Sequence, residues 1–244
     1  MSPTGELKAP KQIGDSLRKT LAAIPKPTSE EIEQRDKQRA EEELAYKCRQ
    51  RAGHWHDLIN ERGKRYDECR LSTYEITNPK QQEVVDKLTS YCKNMAGQVR
   101  EGRGIVLFGP AGTGKDHLMM ALARVAIIND LGVGWENGMD FFATVRDSFG
   151  RDDGETEAEL IRYLTRPEIL ILSDPLPPAG KLTEFQTNVL FRAIDYRYSR
   201  CQPTWVTLNC SGRKEADERM GCQNMDRLIH GSLKLFCDWE SYRD

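Results

Sequence analysis

The sequence predicts an α/β fold, a parallel sheet layered between helices on both faces and preceded by a helical extension. Three observations carry this. The apolar run from Ile105 to Phe108 meets a glycine-rich turn and then a helix-like pattern. A second run, EILILS from Glu168, has the continuous apolar character of a strand buried on both faces. Further strand-like and helix-like stretches alternate to the end of the chain, the order that yields a parallel three-layer sheet.

The first of these is the most informative stretch. Gly109, Gly114 and Lys115 match the phosphate-binding pattern GxxxxGK[ST] up to its last position, where Asp116 stands in place of Ser or Thr. Gly109, Gly112 and Gly114 allow the backbone to turn its N–H groups into one concavity, and Lys115 adds a cation for the β- and γ-phosphates. The helix beginning near Lys115 directs its positive dipole end at the same anion. The segment Gly109, Pro110, Ala111, Gly112, Thr113, Gly114, Lys115, Asp116 and His117 is therefore the expected nucleotide-binding loop.

Composition sets the outer bounds. A chain of 244 residues accommodates one sizeable α/β core with an appendage. Its net charge of −2, with 30% charged residues, provides no global basic field, so any nucleic-acid contact must come from a local patch or an assembled ring. Seven scattered cysteines and an N-terminus without an apolar signal core point to reduced thiols in the cytoplasm. The apolar stretch around Leu118 to Ile128 is interrupted by Arg124 and is too short to span a bilayer, so no membrane role is expected.

In chain order, residues 1–27 mix Pro, Lys, Ser and Gly and read as a flexible arm. Residues 28–65 form a charged helical region, opened by the Thr28/Glu31 capping box and laced with pairs such as Glu31/Arg35 and Glu43/Lys47. Gly53 and Gly63 are expected to break or end it. Its second half carries Leu44, Cys48, Trp55 and Ile59 on roughly one face, suited either to docking on the body of the protein or to a partner. Cys48, His54, His56 and Cys69 are zinc-ligand types, but their spacing matches no paired zinc pattern and scattered residues explain them better.

Residues 66–244 form the expected nucleotide-binding domain. Asn78-Pro79 opens a core-facing helix whose apolar positions run from Val84 to Val99. VGWEN reads as a strand, MDFFATVRDSF as a helix, RDDGET as a polar turn, and Glu157 opens another helix. Leu182 to Tyr198 reads as helix, 204–209 as strand, and a helical region rich in Glu and Arg follows.

The order of GPAGTGKDHL, the buried strand ending in Ser173-Asp174, the strand ending at Asn209, MDRL at 225–228 and the terminal WESYR resembles the AAA+ helicase-loader family, the DnaC-type replication proteins with their IstB-like relatives. The resemblance covers about residues 66–244. It implies a P-loop NTPase of the AAA+ type that binds ATP and Mg²⁺, forms homo-oligomers when ATP-bound, and works with a replicative helicase and single-stranded DNA. It further implies Lys115 as the phosphate-binding lysine, Asp174 in the acidic position after the second strand, and Asn209 as the polar sensor. Arg227 would be the arginine finger offered to a neighbouring subunit and Arg243 the arginine on the γ-phosphate. Phosphoryl transfer needs such parts, since it is mostly positioning and charge neutralisation. A surface ion pair is the alternative for each arginine.

This sequence departs from the family pattern at Asp116 and at Ser173-Asp174-Pro175. In one register Asp174 binds the metal and Pro175 takes the place of the catalytic base, which would leave an ATP-gated adaptor that barely hydrolyses. In the other, favoured because the apolar run ends at Leu172, Ser173 takes the metal-site position and Asp174 the base's. Across the two registers Asp116, Ser173 and Asp174 are the candidate metal residues, and in the second a hydroxyl and a carboxylate have changed places across the site, Ser173 giving the one and Asp116 the other. Capping of the helix N-terminus is the alternative role for Asp116. An IstB-like transposition helper is the alternative to the replication role. For single-stranded DNA, Phe141, Phe142, Arg146, Phe149, Arg151 and Lys181 are aromatic and basic candidates, although adjacent phenylalanines also suit a core.

Overall fold

The computed structural model describes residues 28–148 and 157–243. By internal contacts the chain divides into a unit ending at Arg49 and a unit from Gln50 onward. The expected flexible arm at 1–27, the polar turn RDDGET, and the candidates Phe149 and Arg151 lie outside the described residues.

Helix α1, Ser29–Arg62, begins as the capping box requires: the Thr28 hydroxyl accepts from the Glu31 N–H at 3.2 Å, and the Glu31 carboxylate accepts from the Thr28 N–H at 2.8 Å. Gly53 does not break it. A glycine within a helix costs about 1 kcal/mol, and the turn beyond it is anchored within the second unit. There Leu58 and Ile59 are buried and the Trp55 indole donates to Asp67 at 2.8 Å. Leu44 and Cys48, on the same predicted face, are exposed. The helix ends at Gly63, whose φ of 102° lies in the left-handed region.

The expected single helix from Asn78 to Val99 is two helices, α2 Pro79–Cys92 and α3 Met95–Arg100. Asn94 between them leaves the helical region at φ −131° and ψ 41°. Strand β1, Ile105–Phe108, then leads through the glycine loop into α4, Lys115–Ile128. The remaining elements are β2 Val133–Asn137, α5 Gly138–Asp147, α6 Glu157–Leu164, β3 Ile169–Ser173, α7 Glu184–Tyr198, β4 Thr204–Leu208, α8 Arg213–Met220, α9 Cys222–Ile229 and β5 Leu233–Phe236. The region rich in Glu and Arg thus forms two helices, parted at Gly221 with φ 91°. The sequence reading assigned no strand to β5, a four-residue edge strand in which Leu235 alone is buried.

All neighbouring strands pair in parallel in the order β2–β3–β4–β1–β5. After β1 the chain crosses to the far edge, returns strand by strand to β4, and places β5 on the other side of β1. This brings the carboxyl ends of β1, β3 and β4 side by side, where ligands bind in open α/β sheets. Alternate strand residues feed two cores. Ile105, Leu107, Ile169, Ile171 and Trp205 pack with α2 and α4, while Val106, Phe108, Leu170, Leu172 and Val206 pack with α5, α7 and α9. Helix α4 is the central element, with Leu118 through Ala123 all buried. No described helix is long and apolar enough to cross a membrane.

Candidate functional site

The nucleotide loop is held open from outside. Gly109, Gly112 and Gly114 have φ of 146°, 84° and 82°, values that favour glycine. A Cβ on Gly112 would lie 1.9 Å from the Ser241 hydroxyl, and one on Gly114 would lie 2.7 Å from the Tyr74 ring. The Thr113 carbonyl accepts hydrogen bonds from the Tyr74 hydroxyl at 2.8 Å and the Trp239 indole at 3.0 Å. The Tyr242 N–H donates to the Gly112 carbonyl at 2.9 Å. Two distant segments, 64–74 and 237–243, therefore brace the loop.

Lys115 is buried, and its ammonium donates to the carbonyls of Gly109 and Pro110 at 2.8 and 2.6 Å. Two of its three N–H groups are so used, which leaves one for a ligand. Burial pushes its pKa below the ordinary lysine range, with Asp174 the strongest opposing charge.

Strand β3 ends at Ser173, which is buried and donates from its hydroxyl to Asp116 Oδ1 at 2.9 Å. Thr207, on β4, donates to the same oxygen at 3.3 Å. These hydroxyls, and no described backbone N–H of α4, are the partners of the Asp116 carboxylate. Asp174 follows with a φ of 47°, and its Oδ2 accepts from the Asn209 amide at 2.6 Å. Its other oxygen, Oδ1, is buried with no partner, as is Asn209 Oδ1. Burial first, and the nearby Asp116 second, raise the Asp174 carboxyl above the usual carboxylate range.

These groups open on a cavity of about 410 Å³ that Ala111, Gly112, Gly114, Lys115, Asp116, His117, Asp174, Asn209 and Arg243 help to line. The opposite wall comes from residues with no nucleotide-binding role expected from the sequence: Arg65, Tyr66, Cys69, Thr73 and Tyr74, with Tyr242 from the chain end. Their one signal was the density of aromatic and basic residues in KRYDECRLSTY. His117 joins this wall, with its Nε2 at 2.9 Å from the Arg70 carbonyl and its ring edge-on to Tyr74 at 5.4 Å.

Among the predicted site residues, Arg227 is not brought to the cavity. It lies on α9, pairs with Asp195 at 2.7 Å and sits over the Phe191 ring at 4.5 Å. It helps to line a separate cavity beside Gly104, near the amino end of β1. Among the DNA candidates, Phe141 and Phe142 are core residues of α5 and present no surface to a strand, whereas Arg146 and Lys181 are exposed. Among the described residues no group of three or more His, Cys, Asp and Glu side chains is placed to hold a metal ion, and His54 contacts the Val133 carbonyl at 2.8 Å.

The profile of the IstB-like ATP binding protein family matches residues 68–244. The chain belongs to the IstB-like ATP-binding family. This IstB-like chain is 26% identical over 245 residues to the replicative helicase loader DnaC of Escherichia coli K12, a match covering 96% of each protein. It is 31% identical over 147 residues, 59% of its length, to an insertion-sequence ATP-binding protein of Sinorhizobium fredii. Among solved structures, the DnaC helicase loader superposes with a TM-score of 0.61 at 21% identity, covering 71% of this chain and 99% of that one. DnaA bound to AMPPCP and single-stranded DNA gives 0.57 at 16% identity, over 71% of this chain and 50% of that one. These likenesses establish the AAA+ fold of the IstB-like domain.

Proposed function

We propose that the protein is a cytoplasmic, ATP-dependent loader of a replicative helicase. It binds ATP in the cavity around Lys115, assembles with copies of itself when ATP is bound, and engages single-stranded DNA. The observation that carries this reading is the alignment with helicase loader DnaC over 96% of both chains, which takes in the charged helical region at 28–65 as well as the ATP-binding domain. That region is the proposed partner-binding part. The insertion-sequence relative aligns over 59% of this chain, which supports transposition as the second reading less well.

The cavity suits a nucleoside triphosphate. The loop glycines leave no room for side chains, and the third N–H of Lys115 is available to the β- and γ-phosphates. Arg243, at the cavity mouth, adds a second cation. The aromatic wall of Tyr66 and Tyr74 offers an apolar surface to the base. Two buried oxygens, Asp174 Oδ1 and Asn209 Oδ1, have no hydrogen-bond partner within the protein, as suits a site for a polar ligand. In the favoured register the Asp116 carboxylate and the Ser173 hydroxyl, both oxygen donors, would hold magnesium, a hard cation. When bound, magnesium neutralises phosphate charge in the transition state.

In turnover, Asp174 is the proton acceptor. Asn209 holds one of its oxygens and leaves the other to accept from an attacking water, and the raised pKa brings its basicity toward neutral pH. Arg227 acts on the ATP of a neighbouring copy. The test is steady-state Mg²⁺–ATP turnover with and without single-stranded DNA, together with co-purification with a hexameric replicative helicase. DNA-stimulated turnover and a stable helicase complex are expected. Tight ATP binding without turnover would identify an ATP-gated adaptor instead, the outcome that Pro175 in the place of a glutamate would cause in the other register.

A further inference from the structure

We propose that this chain holds magnesium with a transposed donor pair, the carboxylate on the loop helix and the hydroxyl on the strand, and that Thr207 positions both acidic residues of the site. The inference rests on the ATP-binding reading above. In the usual phosphate-binding loop a Ser or Thr follows the lysine and an acidic side chain ends the facing strand. Here Asp116 follows the lysine and Ser173 ends the strand.

An exchange of this kind conserves the donor set only if the two positions face each other. They do, since Ser173 Oγ is 2.9 Å from Asp116 Oδ1 across the gap between α4 and β3. A hydroxyl and a carboxylate at that separation keep the same two kinds of oxygen donor side by side whichever element each comes from.

Thr207 had no assigned role. It is fully buried, its hydroxyl donates to Asp116 Oδ1 at 3.3 Å, and its oxygen accepts from the Asp174 N–H at 3.2 Å. A hydroxyl has one proton and two lone pairs, so both bonds are satisfied at once. The same N–H also reaches the Thr207 backbone carbonyl at 3.2 Å, so Thr207 restrains the left-handed Asp174 through backbone and side chain together, while its hydroxyl alone restrains the Asp116 carboxylate. Both Ser173 and Thr207 donate to Oδ1 of Asp116. Oδ2 takes no hydrogen bond from a described residue, and Asp116 lines the cavity. That oxygen is the one a cation would meet. Mutual hydrogen bonding also explains how a carboxylate is tolerated beside the triphosphate loop: two hydroxyl donors hold its charge until a metal replaces part of that stabilisation.

The experiment measures binding of a fluorescent ATP analogue to the full chain in magnesium and in EDTA. The magnesium response, the ratio of the two affinities, is the readout, and it needs no turnover. Asp116→Thr and Ser173→Asp should each reduce that response by about tenfold or more, with affinity in EDTA little changed. The double exchange should restore most of it. Thr207→Val should reduce the response by a smaller factor and Thr207→Ser should retain it, a split that a purely structural role would not produce. Asp116→Asn, which keeps the side-chain shape, reads the same loss should either exchange fail to fold. A full magnesium response in Asp116→Asn, or a double exchange no better than the weaker single one, would overturn the proposal. Wild-type protein that binds no nucleotide in either buffer would instead sink the ATP-binding reading itself.

Discussion

The sheet buries a cation at each end, and the two are treated in opposite ways. At the amino ends of β3 and β4, Arg197 is fully buried and donates to the carbonyls of Thr165, Pro167, Glu168 and Pro203 and to the Thr204 hydroxyl. It does not line the cavities around Lys115 and Gly104, and burial lowers its pKa to about 9, which keeps it charged at neutral pH. At the carboxyl ends, Lys115 has two loop carbonyls, one uncommitted N–H, and two carboxylates near enough to oppose its burial. Arg197 is saturated by its own chain. Lys115 is left short, next to an open cavity. A buried charge with every donor satisfied is a structural staple, whereas one left with surplus capacity beside a cavity marks a binding site.

The comparison breaks first at Arg197. Replacement by Met, which is close in size, removes five hydrogen bonds, after which the Pro203 carbonyl keeps only the Leu170 N–H at 3.4 Å, and we expect a loss of about 3–5 kcal/mol in unfolding free energy by urea titration. ATP affinity of the fraction that remains folded should be unchanged. A loss below about 1 kcal/mol would mean that water or relaxation satisfies those carbonyls, and the staple reading would fail.

Lys115→Ala is the opposite case. It removes a charge that burial already disfavours, so stability should change by less than about 1 kcal/mol. ATP affinity should fall about 10- to 100-fold, the worth of one or two charge-assisted hydrogen bonds. Isothermal titration beside a thermal melt separates the two effects. A variant that binds ATP normally would move the phosphate site elsewhere.

These two cations differed also in how far the sequence revealed them. Lys115 stands in a spaced motif between a strand and a helix, so its proposed role follows from local pattern. Arg197 is one arginine in DYRYSR, and only the pairing of β3 with β4 shows that its acceptors come from residues about thirty positions earlier as well as from Pro203 and Thr204. The cavity repeats the lesson. Its phosphate side, from Gly109 to His117, was legible because one continuous segment makes it. The wall from Arg65 to Tyr74 and the brace from Trp239 and Tyr242 were not, because they are assembled from segments more than a hundred residues apart. Strand β5 escaped for a related reason: four residues with a single buried position carry too little pattern to read. Thr207 was hidden by its neighbours, since a threonine alternating within TWVTL suits a strand for purely structural reasons.

A third charge, only half-buried, lies between these extremes and sharpens the contrast by pH. Glu136, on the edge strand β2, has its carboxyl pushed up to about 7 by burial and then by Glu61 and Asp140, with Arg62 opposing. A carboxyl raised above its unfolded value of 4.5 binds its proton more tightly in the folded state. Its contribution is therefore fully present below pH 4.5 and is lost as pH rises through about 7. Partial solvent screening holds the change to about 1–3 kcal/mol. Unfolding free energies of wild type and Glu136→Gln, compared between pH 5 and 8 (roughly the window set by these pKa values), should diverge in that direction. Parallel curves would show that Glu136 titrates normally.

A small stability effect is expected also at Arg227, and its smallness is what makes it diagnostic. Its pair with Asp195 is half-exposed and its stacking on Phe191 lies at the surface of α7 and α9, so Arg227→Ala should cost no more than about 1 kcal/mol. An arginine held for stability alone would have no further consequence. One that completes a neighbour's ATP site would leave the protomer's own ATP affinity unchanged and remove turnover that rises with protein concentration. Mixing the variant with Lys115→Ala then separates the two ends of the molecule. Each protein lacks a different half of the composite site, so activity should return in the mixture, because an intact Lys115 cavity on one copy meets an intact Arg227 on another. A mixture as inactive as its parts would confine Arg227 to its ion pair, and the two ends of the sheet would then differ in structure without being joined in function.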